Sequence, residues 1–380
     1  MDTVRRVGFR VVVLASLLLA AEASAGSLTR GLHGEGGLFR LGLEQFKHVW
    51  TVGEGLGPRF NATSCVACHN QPDTGGSGEA LVTLFGREDA GVFDPLIEDG
   101  GPVLQEHGLD LFTRCKIPGE TVPPRATIVA KRQTPPLFGL GLVSEIRDRR
   151  ILRRADPTDR DHDGVSGRPN MVSGRVGRLG WKANEYALYN FVPAALHIEL
   201  GVTSLGQRAS RAERQLLAAC DLPQESSFGE AQGYVLQFVT RLRPLAPIRS
   251  SRATHAGRAV FRKIGCATCH VEQLVAGPSP HGVLTLPEAV RVPLFSDLLL
   301  HDMGPELADG IVEGDATGSE FRTAPLWGLG RTGPYLHDGR SATVEDAVAA
   351  HGGEAEGARS RFFALPNTDR AALLAFLLSL

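Results

Sequence analysis

Two five-residue stretches of this chain have the residue types and spacing for one kind of chemistry. They are Cys65-Val66-Ala67-Cys68-His69 and Cys266-Ala267-Thr268-Cys269-His270. Two thiols one helical turn apart can each close a thioether onto a vinyl group of a haem, and the adjacent imidazole then turns onto the iron. Cys-x-x-Cys pairs also build zinc knuckles and thioredoxin-like redox sites. Neither alternative accounts for a His directly after the second Cys in both stretches. The pattern predicts two covalently bound c-type haems, with His69 and His270 as iron ligands.

The start of the chain agrees, because c-type haem is attached outside the bacterial cytoplasm. Arg5, Arg6 and Arg10 form a basic region, Val11 to Ala20 is apolar, and Ala23-Ser24-Ala25 is a small-residue cleavage site. Residues 1–25 therefore read as a signal peptide, which predicts export to the periplasm. The apolar run is too short for a stable membrane span, and no later segment reads as a transmembrane helix. The formal net charge of -2 gives no reason to expect a nucleic-acid partner. Two of the six cysteines, Cys115 and Cys220, lie outside the haem motifs. An oxidising compartment allows a disulfide between them, and two buried free thiols fit the sequence equally well.

The elements that must position the two motifs recur in both halves. Thr134, Pro136, Phe138 and Gly141 match Thr323, Pro325, Trp327 and Gly330, each set downstream of a haem motif. Each half ends in an amphipathic helix, Tyr234 to Leu242 and Asp369 to Leu380, the second with Thr368 as its expected N-cap. Helices are also expected near Phe39 to Phe46 and Gly257 to Ile264. Thr343 with Asp346 resembles a capping box opening a short helix that Gly352 and Gly353 can end, with His351 at its end. Gly75-Gly76-Ser77-Gly78 reads as a flexible loop, and Val82 to Pro118 shows no clean period. The chain has 45 glycines and 23 prolines, which implies long irregular connections. The expected fold is mainly α, with two cytochrome c-like haem domains and long loops: residues 26–246 and residues 247–380.

Between the repeats, Asp159, Asp161 and Asp163 stand at positions 1, 3 and 5 of a loop with Gly164 at position 6, as in an EF-hand-type calcium loop. Val165 would offer its carbonyl at position 7, and Asn170 replaces the usual bidentate Glu at position 12. A solvated acidic turn is the competing reading. Met303, in Leu299-Leu300-His301-Asp302-Met303-Gly304, has the chemistry of an axial ligand and equally that of a core methionine.

With these motifs in place, the chain resembles the di-haem oxidoreductase family, related to bacterial di-haem cytochrome c peroxidases and to MauG-type enzymes. The paired Cys-x-x-Cys-His motifs, Thr134 to Gly141, Asp161 to Asn170, Leu299 to Gly304 and Tyr335 to Gly353 carry the resemblance. It implies that the N-terminal haem is open or openable and meets peroxide, while the C-terminal haem is six-coordinate and relays electrons. The relatives take a Met or Tyr ligand where this chain has His351. His270 and His351 are therefore expected to share the second iron, with Met303 as the alternative ligand. Relatives also use a Thr-x-Pro to bind calcium between the haems, and Thr332 and Pro334 match it.

The resemblance further implies a distal Glu, in a motif this chain lacks. Glu145, directly after the first repeat, is the candidate acid, and Arg147 the candidate to assist a developing oxyanion. Trp181 matches an inter-haem Trp loosely and also reads as a core Trp. The expected activity is reduction of hydrogen peroxide with electrons from a small periplasmic donor such as a cytochrome c or cupredoxin. MauG-like oxidation of a protein or organic substrate is the second reading, and an electron carrier with both haems closed is the third. The third would need a distal ligand opposite His69, and several histidines are left for it, including His48, His107 and His197.

Overall fold

In the computed structural model, the described residues are 30–32, 36–112, 115–203, 209–222, 229–248, 251–278, 284, 286 and 288–380. The expected signal segment, residues 1–25, lies outside them. The helices are α1 Gly37–Lys47, α2 Cys65–Cys68, α3 Leu140–Ser144, α4 Asp148–Leu152, α5 Leu188–Leu200 and α6 Arg211–Ala219. They continue as α7 Gly229–Arg241, α8 Arg252–Lys263, α9 Val344–Ala350, α10 Glu356–Phe363 and α11 Asn367–Ser379.

Helix outweighs strand, 35% against 16%, so the fold is helix-rich with more strand than the mainly α expectation allowed. Leu81–Asp89 pairs antiparallel with Val92–Asp94 on one side and Ile128–Gln133 on the other. Its central residues Thr83, Leu84, Phe85 and Gly86 are buried consecutively, so the strand lacks the alternation that would reveal it in sequence.

Four helices make two equivalent pairs. α1 crosses α7, and α8 crosses α11. The crossings are close because each carries a glycine. A Cβ on Gly42 would overlap the carbonyl oxygen of Tyr234, and one on Gly257 would overlap that of Ala372. One turn further on, Phe46 packs 4.8 Å from Phe238, and Phe261 packs 5.5 Å from Phe376. The Thr-x-Pro repeats dock against the same two helices. Gly141 abuts the carbonyl of Thr240, and Gly330 abuts that of Leu378. The spacing Tyr234, Phe238, Thr240 is repeated by Ala372, Phe376, Leu378.

The helix ends follow local chemistry. Ser251 and Thr254 form a capping box at α8. Thr343 accepts the Asp346 amide at α9. α11 begins at Asn367 behind Pro366, so Thr368 lies inside the helix rather than capping it.

The halves are joined rather than separate. One hydrophobic cluster runs from Phe39 through Phe238 to Leu299 and Trp327, crossing residue 246. Buried Arg132 reaches Asp309 and Glu313, each at 2.7 Å. Two reciprocal backbone bonds link the repeats. The Gln133 amide donates to the His337 carbonyl at 2.7 Å, and the Arg322 amide donates to the Trp181 carbonyl at 2.8 Å. Gln133 and Arg322 hold the same place in the repeat, one residue before Thr134 and Thr323. Cys115 and Cys220 are joined as a disulfide with their Cα atoms 5.7 Å apart. No helix among the described residues is long and apolar enough to cross a membrane.

Candidate haem sites

The first motif forms the single-turn helix α2. Ser64 caps it, its hydroxyl accepting the Ala67 amide at 3.2 Å. Cys65 and Cys68 stand one turn apart, and burial pushes their thiols up to about 12 and about 11. His69 follows as the cap, with Nδ1 3.1 Å from the Gly76 carbonyl. That bond orients the ring. Burial lowers the imidazole to about 4, which keeps it unprotonated and able to ligate.

Gly75 to Gly78 are buried rather than flexible. A Cβ on Gly76 would overlap the Gln71 carbonyl, and one on Gly78 would overlap the Cys68 carbonyl. These glycines are there for close approach to the attachment turn.

The second motif repeats this arrangement. His270 Nδ1 lies 2.9 Å from the Phe295 carbonyl, and burial lowers the ring to about 4. Phe261 stands 6.5 Å from His270, as Phe46 stands 6.0 Å from His69. A cavity of about 670 Å³ opens beside Cys266, Cys269 and His270. That is within the usual range of roughly 300–1,000 Å³ for cofactor pockets.

Across this cavity stands His351, at the end of α9. Its Nδ1 is 2.7 Å from the Ala347 carbonyl, which leaves its Nε2 to face the cavity. The His270 and His351 ring centroids are 6.5 Å apart, at an interplanar angle of 46°. Two imidazoles each roughly 2 Å from one metal ion would place their centroids about 6 Å apart. The site therefore fits an iron held between the two rings. Met303 lines the same cavity.

Position by position, the first half has a different group where His351 stands. α9 packs on α11, and in the first half α5 packs on α7. Gly353 has φ +53° two residues after His351, and Gly201 has φ +64° two residues after Glu199. Counting back from these glycines pairs Glu199 with His351, with Glu199 inside the last turn of α5 and His351 as the C-cap of α9. Asn61 donates to its carboxylate at 2.9 Å, burial holds its pKa up, and its charge acts on the Cys68 thiol. Sequence reasoning missed Glu199; the only signal was the Glu-x-Gly against His-x-Gly pairing after two helices of unequal length.

Glu145 and Arg147 are not brought together. Glu145 is buried, its carboxylate accepts the Leu284 amide at 3.1 Å, and burial raises it to about 7. The cation that acts on it is Arg178. Arg147 is exposed and donates to the Pro278 carbonyl at 2.9 and 2.6 Å, so it is committed at the surface.

The three histidines named as candidate distal ligands have partners elsewhere. His48 bonds Glu54 at 3.0 Å, His197 pairs with Glu213 at 3.5 Å, and His107 lies against Phe60.

Trp181 lines the second cavity and donates from Nε1 to the Gln133 carbonyl at 3.0 Å. Thr134, Pro135 and Pro136 line it too, and the Pro135 carbonyl also bonds the His69 ring. One short backbone segment therefore touches both sites.

The acidic loop brings Asp159, Asp161 and Asp163 together, with carboxylate oxygens within 4.8 Å of one another. Gly164 makes the turn at φ +84°. The Val165 amide donates to Asp163 at 2.9 Å. Asn170 does not join them. It is fully buried, donating to the Lys182 and Glu313 carbonyls and accepting the Asp315 amide. The expected twelfth ligand is therefore consumed by a structural bridge. Thr332 donates to the Gly328 carbonyl, its own carbonyl accepts from Ser77, and it lines the second cavity with Pro334.

Residues 241–380 match the family model described as "Di-haem oxidoreductase, putative peroxidase", and over that stretch the resemblance read from the motifs is shown. The chain is 31% identical over 143 residues to Cytochrome-c peroxidase IdrP2 of Pseudomonas sp. (strain SCT), covering 33% of this chain and 38% of that relative. It thus spans less than two fifths of the relative's length. Among solved structures it is similar to hydrazine synthase of Kuenenia stuttgartiensis, at 14% identity and TM-score 0.39, covering 100% of this chain and 98% of that one. A MauG-like protein associated with microbial copper homeostasis aligns at 19% identity and TM-score 0.33, over 64% of this chain and 89% of that one. A di-haem peroxidase from Burkholderia thailandensis aligns at 14% and 0.39, over 94% and 89%.

Proposed function

We propose that this chain is an exported di-haem c-type oxidoreductase that reduces hydrogen peroxide to water with electrons from a small redox protein such as a cytochrome c or cupredoxin. The observation that carries the reading is the asymmetry between Glu199 and His351. One site has an imidazole facing an imidazole across 6.5 Å, and the other has a protonatable carboxylate at the matching place. The first suits closed electron relay, and the second suits a substrate position with its own acid–base group.

In this reading Cys65, Cys68 and His69 would hold one haem, and Cys266, Cys269, His270 and His351 would hold the other. Haem iron supplies the redox chemistry that cleaves the O–O bond. Glu199 takes the proton from the near peroxide oxygen and returns it to the departing one, so that one peroxide, two electrons and two protons give two waters. Asn61 orients the Glu199 carboxylate by donating to it. Partial burial of Glu199 raises its pKa and makes the proton easier to hold. The Gly76 and Phe295 carbonyls keep His69 and His270 in the tautomer that presents Nε2. The segment Thr134–Pro136, with Trp181 beside it, is the proposed path between the two halves. The halves act as two haem-bearing units divided near residue 246 in the chain.

Calcium remains in this reading, held by the Asp159, Asp161 and Asp163 carboxylates without Asn170. Calorimetry on chelated holoprotein tests it, with uptake expected and no heat contradicting it. The activity is tested by following oxidation of a reduced small cytochrome c by the purified holoprotein. Peroxide-dependent oxidation at two equivalents per peroxide is expected. A holoprotein that accepts electrons but consumes no peroxide would overturn the reading.

A further inference from the structure

His301 stands where three segments meet, and none of the roles above uses it. It is 3% exposed. Its Nε2 lies 3.0 Å from Asp297 and its Nδ1 lies 2.7 Å from Glu354. With a carboxylate on each nitrogen, both nitrogens must carry protons, so the ring is a buried cation held by two anions. The Cys269 sulfur is 3.6 Å from the same Nδ1. The backbone of Gly167 closes over the ring; a Cβ there would lie 2.7 Å from His301 Cε1.

Of the two carboxylates, Glu354 lines the second haem cavity and Asp297 lies in the segment bonded to the attachment turn. The Asp297 amide donates to the Cys269 carbonyl at 3.0 Å, and Asp297 lies two residues past Phe295, whose carbonyl orients His270. Glu354 lies three residues past His351, in the turn Gly353–Ala355. Its second oxygen accepts the Ser166 hydroxyl at 2.7 Å. Gly353 has φ +53°, so the chain between His351 and Glu354 is tightly turned and transmits the position of one to the other. Removing one partner of such a buried charged set leaves the others uncompensated, and the turn would then shift to hydrate them.

We propose that His301 is a positioning residue that holds His351 opposite His270, by tying the turn that carries Glu354 to the attachment segment through Asp297 and Cys269. This rests on the reading of His351 as ligand of the second haem. Partners outside the ligand set commonly change metal affinity by about 10–100-fold. A shift of that order is expected here in the ratio of His351-bound to unbound second haem.

The test compares ferric holoprotein of the natural sequence with His351→Ala, His301→Phe and Glu354→Gln, by optical and electron paramagnetic resonance spectra. Glu354→Gln keeps size and removes the charge, which guards against a His301→Phe chain that does not fold, and the first haem's spectrum is the internal control of folding. His351→Ala should make the second haem high-spin. His301→Phe and Glu354→Gln should each raise its high-spin fraction, and added imidazole should restore the low-spin signal in both. If His351→Ala turns the haem high-spin while Glu354→Gln and His301→Phe keep the natural spectrum, the positioning role is overturned and the ligand assignment stands. If His351→Ala itself leaves the spectrum unchanged, the ligand assignment falls and the positioning role with it.

Discussion

The two halves place the same scaffold around different chemistry. In both, a glycine lets two helices cross at contact distance, a phenylalanine one turn on packs beside the proximal histidine, and a Thr-x-Pro repeat docks on the second helix. They differ where the count back from Gly201 and Gly353 pairs Glu199 in the first half with His351 in the second. In the proposed function a carboxylate there would handle a proton and leave the metal face free, whereas an imidazole would close it. Helix length differs alongside, with α5 running 13 residues and α9 only 7. In the proposed reading, one side chain near a helix end, on a duplicated frame, separates a substrate site from a relay site.

The largest expected break in this comparison comes from Glu199→Gln. Peroxide turnover should fall by about 10²–10⁴-fold, the usual weight of a positioned acid–base group, with both haem spectra retained. Glu145→Gln should leave turnover near that of the natural chain, and stopped-flow kinetics on both variants distinguishes the two carboxylates. If Glu145→Gln is the variant that loses turnover, the match between Glu199 and His351 is wrong.

Next in size is the staple that the first half has and the second lacks. Reducing Cys115–Cys220 leaves thioethers intact, so it isolates that disulfide. A loss of about 2–5 kcal/mol in denaturant stability is expected, and an unchanged midpoint would show that the bridge does not bear on folding.

The shared scaffold is probed by Gly42→Val and Gly257→Val. Each puts a side chain onto a carbonyl oxygen at the helix crossing, and each should cost about 1–3 kcal/mol by thermal unfolding. Unequal losses would show that the two crossings are not equivalent.

The smallest effect concerns Glu145 as a structural group. Its folded pKa is raised to about 7 from an unfolded value near 4.5, so between those pH values the folded chain binds the extra proton. Stability therefore falls as pH rises through that window and levels off above it. Glu145→Gln should flatten this slope and stabilise the chain at pH 8 by roughly 1–2 kcal/mol, read from urea unfolding at several pH values.

The legible part of the sequence was the part where covalent or close-contact chemistry fixes residue type. Both Cys-x-x-Cys-His stretches and the paired Thr-x-Pro repeats stand where they were expected, and His351 ends its helix facing the second cavity. The fold was legible in its helices, while the strand Leu81–Asp89 was hidden by burial on both faces. The glycines at 75–78 resemble a loop until the attachment turn is seen against them. Asn170 fits a calcium loop by position, but tertiary hydrogen bonds claim its side chain. Glu199 left no local mark, because a lone carboxylate in an amphipathic helix looks like any solvated residue until the two halves are superposed in register.

The central claim is that one haem is open and the other closed. A carbon monoxide titration of the fully reduced holoprotein, followed optically, tests it directly, since carbon monoxide binds ferrous haem only where a position is free or easily vacated. The account predicts uptake of one equivalent by one haem of the two, and a second equivalent in His351→Ala. No uptake, or uptake by both haems of the natural chain, would contradict it.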